Sequence, residues 1–338
     1  MRCRWLAVVC VLASPSLAGA DDVSAIVEKG AIEFRSGSTL VARYATDPKY
    51  SKPFLYPLVA PNGVPVTRGW PMEKAPPMGT TDHVHQKSVW FCHGDVIPEG
   101  IELKTRSPNK ADKGVDYWSE AKNANGRHGT IRCVKVEKPI QHSKNRVSVE
   151  TRNEWLTPDG IKILDEIRVI HFVDKPEGRL FAFDITLTAS VCPITFGDTK
   201  EGSFGIRVRD ELRMEKRKNT LGGDGVMTNA EGKVGEKDIW GQPSDWVHYA
   251  GTAEGKEIGV AVFNHPANPR PAWHARAYGL VAANPFGRDH SGFPSQKGKT
   301  DLLKIEKGDE LKLKYAVYAH GGDVKQGKVA EAYEAFMK

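Results

Sequence analysis

An all-β fold, a large antiparallel β-sandwich closed by a short C-terminal α-helix, is what these 338 residues predict. Three observations predict it. From residue 31 onward, β-branched and aromatic residues alternate with polar ones in short runs. Gly, Pro, Asn and Asp punctuate those runs. Helical spacing of apolar residues occurs convincingly only over residues 323–338. About a dozen antiparallel strands must then close or pair into two packed sheets, because one open sheet of that width is unusual.

Taken in order, residues 32–34, 39–44, 129–137, 146–155, 161–172 and 179–189 read as strands of one meander. Thr157, Pro158, Asp159 and Gly160 join two of them as a hairpin, since Pro presets φ and Gly accepts a positive one. Shorter strands follow Pro193, at residues 204–212, 246–252, 258–263, 273–277, 279–283 and 311–319. The long connections 219–242 and 284–299 are of the kind that carries function. In the terminal helix, Val329, Ala332, Tyr333 and Phe336 make the apolar face.

Residues 1–20 read as a secretory signal: Arg2 and Arg4, an apolar stretch from Trp5 to Ala13, then the small residues Ala18, Gly19 and Ala20. That stretch is far shorter than the ~20 residues needed to cross a bilayer. The expectation is an exported protein, periplasmic or secreted, whose residues 21–338 form a single β-sandwich domain without membrane insertion after cleavage. Losing Arg2 and Arg4 lowers the formal charge from +6 to +4. The remaining bases are interleaved with acids, so a nucleic-acid partner is not expected. Cys92, Cys133 and Cys192 lack the spacing of a zinc site and read as buried free thiols.

Three clusters carry reactive side chains. In the first, around His83, His85, Trp90 and His93, strand geometry would put both His83 and His85 on one face. Histidine suits proton transfer and metal ligation alike. General acid–base chemistry requires no cofactor. A metal ion at the His83/His85 cluster is the other expectation, if distant residues complete its shell. In the second cluster, Asp198 or Glu201 supplies a carboxylate to work against a histidine, and Arg207 a fork for substrate. The third displays Trp273, His274, Arg276 and Tyr278, then Asn284, and aromatic faces beside polar groups suit a sugar. His128, Arg68, Trp70, Trp240, Asp245 and Trp246 are lesser candidates. No serine-hydrolase elbow, zincin helix, Walker loop or dinucleotide fingerprint is present.

The stretches DHVHQKSVWFCHGD (residues 82–95), DTKEGSFGIRVR (198–209) and HPANPRPAWHARAYGLVAANPFG (265–287) resemble an uncharacterised bacterial family commonly labelled methane oxygenase PmoA. A membrane-embedded oxygenase subunit would need spanning helices, and no apolar run after the signal is long enough. That family usually shows a His-Pro-His-His-Arg run where this chain has His83, Val84, His85, Gln86 and Lys87. More loosely, the meander resembles the galactose mutarotase-like supersandwich, a fold used by sugar epimerases, lyases and glycoside-cleaving enzymes.

These readings converge on a carbohydrate-active enzyme acting by general acid–base chemistry on a sugar or sugar-derived substrate. His83, His85, Glu201 and His274 are the expected catalytic residues, and Trp90, His93, His128, Arg207, Arg276 and Asn284 are expected to bind substrate. The alternatives are a non-catalytic glycan-binding protein and a histidine-site metalloprotein. Loss of His85 would separate catalysis from binding, because stacking aromatics supply affinity while an imidazole supplies proton transfer.

Overall fold

The computed structural model describes residues 22–104, 113–120 and 126–338, so the predicted signal lies outside the described residues. The first half of the chain contributes strands β1 (Val23–Glu28), β2 (Ala31–Ser36), β3 (Thr39–Ala45), β4 (Phe54–Leu58), β5 (Val89–His93), β6 (Val96–Pro98), β7 (Thr130–Val136), β8 (Ile140–Ser143), β9 (Arg146–Leu156) and β10 (Lys162–Lys175). The second half adds β11 (Gly178–Thr188), β12 (Ile194–Phe196), β13 (Gly202–Arg207), β14 (Val226–Asn229), β15 (Trp246–Ala253), β16 (Lys256–Asn264), β17 (Ala272–Arg276), β18 (Leu280–Asn284), β19 (Leu303–Ile305) and β20 (Glu310–Gly321). Two helices, α1 (Glu236–Ile239) and α2 (Val329–Met337), interrupt the pattern.

An eight-stranded sheet runs β1-β2-β3-β4-β5-β13-β18-β17, and a nine-stranded one runs β14-β15-β16-β20-β11-β10-β9-β7, with β8 beside β9. A small third sheet, β19-β12-β6, closes one end. Aromatic side chains meet between the two large sheets. Phe34 contacts Phe181 at 5.3 Å, Phe91 contacts Trp155 at 6.0 Å, and Phe204 stacks on Tyr315 at 5.0 Å. The sandwich predicted from alternation is therefore present, and period-2 patterning explains it: on β11, Phe181, Phe183, Ile185 and Leu187 all point inward.

Strand β10 departs from that rule. Its inward positions include Glu166 and Arg168, while Ile167 and Val169 face outward. The inward charges pair with one another, while Arg168 Nη2 has no hydrogen-bond partner among the described residues. Arg168 donates to Glu166 Oε1 (2.5 Å) and to the Tyr44 hydroxyl (2.7 Å), and Trp155 donates to Glu166 Oε2 (2.7 Å).

Several predicted elements shift. The strand expected over 204–212 stops at Arg207, and Asp210–Leu212 forms a 3-10 turn whose Asp210 carboxylate accepts from the Thr80 backbone N–H (2.6 Å) and hydroxyl (2.7 Å). The loop 219–242 contains β14 and α1. The terminal helix begins at Val329, because residues 322–328 must arch over the buried His320 ring. A Cβ on Gly327 would lie 2.0 Å from His320 Nδ1. Helix α2 then packs Val329, Tyr333 and Phe336 on the outer face of the nine-stranded sheet, against Phe263 and Tyr318. Cys92 and Cys192 are buried free thiols as expected, while Cys133 is free but only half-buried. Among the described residues no helix is long and apolar enough to cross a membrane.

Candidate active site

Three chain segments meet at one end of the eight-stranded sheet. In the first, His83 and His85 do not lie on a strand, contrary to expectation; they sit in a turn in which the Gln86 N–H donates to the His83 carbonyl (2.9 Å). Buried arginines hold this turn from behind. Arg207, on β13, donates to Gln86 Oε1 (2.6 Å) and Asp82 Oδ1 (3.0 Å), and its guanidinium lies over the Tyr278 ring. Arg68 donates to Asp82 Oδ1 (2.7 Å) and to the carbonyls of Asp82 (3.0 Å) and His83 (3.2 Å). Burial alone would raise the Asp82 carboxyl, but the His83 ring and the charges of Arg207 and Arg68 hold it well below the usual carboxylate range.

The second segment is the loop between β12 and β13. His93 Nε2 donates to the Gly197 carbonyl (2.8 Å), Asn284 Nδ2 to the Thr199 carbonyl (2.9 Å), and the Gly94 N–H to the Glu201 carbonyl (2.7 Å). Only glycine permits the last approach, since a Cβ at Gly94 would stand 2.8 Å from the Glu201 backbone oxygen. Asp198 accepts the backbone N–H groups of Arg288, His290 and Ser291. Its carboxylate anchors the loop 288–291 and is not the partner of a catalytic histidine. Lys200 and Glu201 are left projecting from this pinned loop.

Strands β17 and β18 supply the third segment. His274 Nδ1 donates to the Lys200 carbonyl (3.0 Å), which leaves the lone pair on Nε2. Glu201 Oε2 stands 3.9 Å from the same Nδ1. The result is a pocket of about 310 Å³ that brings together His83, His85, Glu201, His274 and Arg276. Sequence reasoning did not single out Trp118 or Lys200, which also line it. The Trp118 ring stacks on His274 at 6.3 Å and rests edge-on against Trp90. The His83 ring stacks on Tyr278 at 5.1 Å.

Five expected substrate-binding residues need correction or relocation. Trp90 is buried behind Trp118, with the Gly205 backbone against its ring. His93 and Asn284 are buried buttresses of the Gly197 to Glu201 loop, and Asn284 Oδ1 also accepts the N–H groups of Phe286 and Gly287. Arg207 is fully buried beneath the histidine turn. His128 bridges to Asp116 outside the pocket. Of the substrate-binding set, only Arg276 lines the pocket.

Burial, reinforced by the Lys52 ammonium and the His83 ring, pushes His85 down to about 3. Burial, with Lys200 and Arg276 nearby, likewise pushes His274 to about 3, and burial takes His93 to about 4. Unfolded histidine titrates near ~6.5. Below that pH the unfolded chain takes up protons that the folded chain refuses, so this stability is full above about pH 6.5 and lost as pH falls toward 4. Each such histidine adds up to ~1.4 kcal/mol per pH unit in that window. The expected result is a urea midpoint that is flat above about pH 7 and declines steadily below about 6.5. A midpoint unchanged down to about pH 5 would contradict neutral burial of these rings.

A larger groove, of about 680 Å³, lies on the outer face of the nine-stranded sheet, lined by Glu211, Asp224, Glu257 and Asp323. Its one histidine, His248, has its Nε2 on His320 Nε2 (3.1 Å), so no acid–base pair converges there. Among the described residues, no group of three or more His, Cys, Asp or Glu is arranged to hold a metal ion.

Residues 31–334 match the model of a family of unknown function (DUF6807). No curated protein matches the sequence. Among solved structures, a galactose mutarotase-like protein from Lactobacillus casei is 9% identical, with a TM-score of 0.39 over 88% of this chain and 100% of the other. Another galactose mutarotase-like protein, from Clostridium acetobutylicum, is 9% identical, with a TM-score of 0.41 over 89% of this chain and 99% of the other. The GH36 alpha-galactosidase AgaB from Geobacillus stearothermophilus is 10% identical, with a TM-score of 0.42 over 89% of this chain and 41% of its own.

Proposed function

The chain belongs to the family of unknown function DUF6807, and we propose that it is an exported carbohydrate-active enzyme using general acid–base chemistry on a sugar or sugar-derived substrate. The observation that carries this reading is the convergence of His83, His85, Glu201 and His274 on one pocket that Trp118 and Tyr278 also line. At about 310 Å³ the pocket sits at the small end of the ~300–1,000 Å³ range of small-molecule sites, which suits a monosaccharide unit. The signal-like residues 1–20 support export.

In this reading neutral His85 and His274 take substrate hydroxyls by hydrogen bonds. The Glu201 carboxylate, alone of its kind among the described lining residues, receives the proton that leaves. Burial raises the Tyr278 hydroxyl, so it stays protonated and donates. Trp118 offers aromatic surface to the C–H side of a sugar ring, while Tyr278, stacked with His83 and covered by Arg207, contributes its hydroxyl.

The test compares His85→Ala with Trp118→Ala on a panel of free monosaccharides, reading turnover by NMR and binding by calorimetry. An enzyme loses about 10²-fold or more of its turnover on losing His85, against the roughly 10-fold or less in affinity of one lost hydrogen bond. A binding module would show no turnover in the wild type and would lose affinity chiefly with Trp118. That second pattern would overturn the enzyme reading.

A further inference from the structure

Arg276, on the wall of the same pocket, is held from one side of its guanidinium. Arg276 Nε stands 3.1 Å from Glu236 Oε1 in an ion pair on the side edge of the guanidinium, which leaves open the end-on edge formed by its two terminal nitrogens. The other Glu236 oxygen accepts the Ala277 backbone N–H (2.6 Å), so this carboxylate is fixed as a strut. Trp240 and Tyr278 flank the guanidinium, with ring centroids 5.9 Å and 6.0 Å from its central carbon. Among the described residues neither terminal nitrogen of Arg276 has a hydrogen-bond partner, although the side chain lines the pocket and is only one-third exposed. A guanidinium gripped from behind, with its fork open, is preorganised for a planar bidentate anion.

Lys200 adds a second cation to the same wall, and its only partner among the described residues is Glu201 Oε1 at 3.3 Å. The two cations thus face a cavity whose lining, among the described residues, holds one carboxylate, Glu201, with Glu236 behind Arg276. A neutral sugar would leave the Arg276 fork unanswered in a half-buried position, which has a desolvation cost and gains nothing.

We propose that the substrate is an acidic sugar, a hexose-sized ring bearing a carboxylate or phosphate that docks on Arg276 with Lys200 beside it. This rests on the sugar-site reading and deepens it. Charge-assisted bidentate contact of this kind discriminates by about 10- to 100-fold against a ligand that lacks the anion.

The experiment measures binding of glucose, glucuronate and glucose 6-phosphate to the wild-type chain and to Arg276→Gln and Arg276→Lys, by saturation-transfer NMR at low salt. Glucuronate, glucose 6-phosphate or both should bind at least about 10-fold more tightly than glucose, and whichever does identifies the anion. Arg276→Gln should bring that ratio to about 2 or less, and Arg276→Lys, which keeps the charge without the fork, should leave it well below that of the wild type. Equal binding of all three by the wild type, or a preference that survives in Arg276→Gln, overturns the anion subsite and leaves the sugar reading standing. Absence of binding by all three overturns both.

Discussion

Replacing Glu201 with glutamine is expected to lower kcat by about 10²- to 10⁴-fold on any sugar the wild type turns over, with KM changed much less. The reason is where a proton is able to go. Protonating His274 would build a third cation beside Lys200 and Arg276 in a buried position, and the depression of that ring to about 3 expresses how strongly the surroundings resist it. His85 faces the same obstacle from burial and from Lys52. Protonating Glu201 builds no charge. It only relaxes the 3.3 Å pair with Lys200, which stays solvated. The side chain is one-third exposed and makes no hydrogen bond that holds the fold, so glutamine should leave the thermal midpoint within about 2 °C. Steady-state kinetics with a melting curve for each variant would decide it. A kcat within threefold of the wild type would move the proton acceptor elsewhere.

The residues that converge were legible because each cluster is short and rich in unusual side chains: the two histidines two apart, Glu201 beside Lys200, His274 two before Arg276. Their support was not. The strand period that would place His83 and His85 on one face does not operate, since the segment is a turn. The two rings still reach the same pocket because Arg68 and Arg207 clamp Asp82 and Gln86, and Arg207 lies more than a hundred residues away in sequence. For the same reason the sequence offered Arg207, His93 and Asn284 as ligand contacts when they are braces. Chemical type is visible in a sequence, whereas which polar atoms are already partnered is a long-range fact. Trp118 stayed hidden because it lies in an irregular loop with no periodicity to assign it a face. The strands themselves were found where alternation was strong, on β9 to β11, and missed where strands are short, as at β6, β12 and β19.

The largest stability effect should come from the inward charges of β10. Alternation identifies this strand but not its facing, because Ile167 and Val169 would have been the natural inward choices. What fixes the facing is the network of Glu166, Arg168, Tyr44 and Trp155, which also reaches Phe91 on β5, 5.5 Å from the Arg168 guanidinium. It therefore ties the nine-stranded sheet to the sheet that carries the pocket. Arg168→Met strands a buried carboxylate together with the Tyr44 hydroxyl, and removing one member of a buried pair costs about 3–5 kcal/mol. Replacing both members, as Glu166→Leu with Arg168→Met, removes both buried charges and leaves single hydrogen-bond losses at Trp155, Asn153 and Tyr44, each about 1–3 kcal/mol at most. The double variant should thus lose clearly less than the sum of the two single variants, with a coupling of about 1–3 kcal/mol. Urea unfolding of the four proteins measures it. Strict additivity, or a loss under about 1 kcal/mol for Arg168→Met, would mean that apolar packing alone sets the facing of β10.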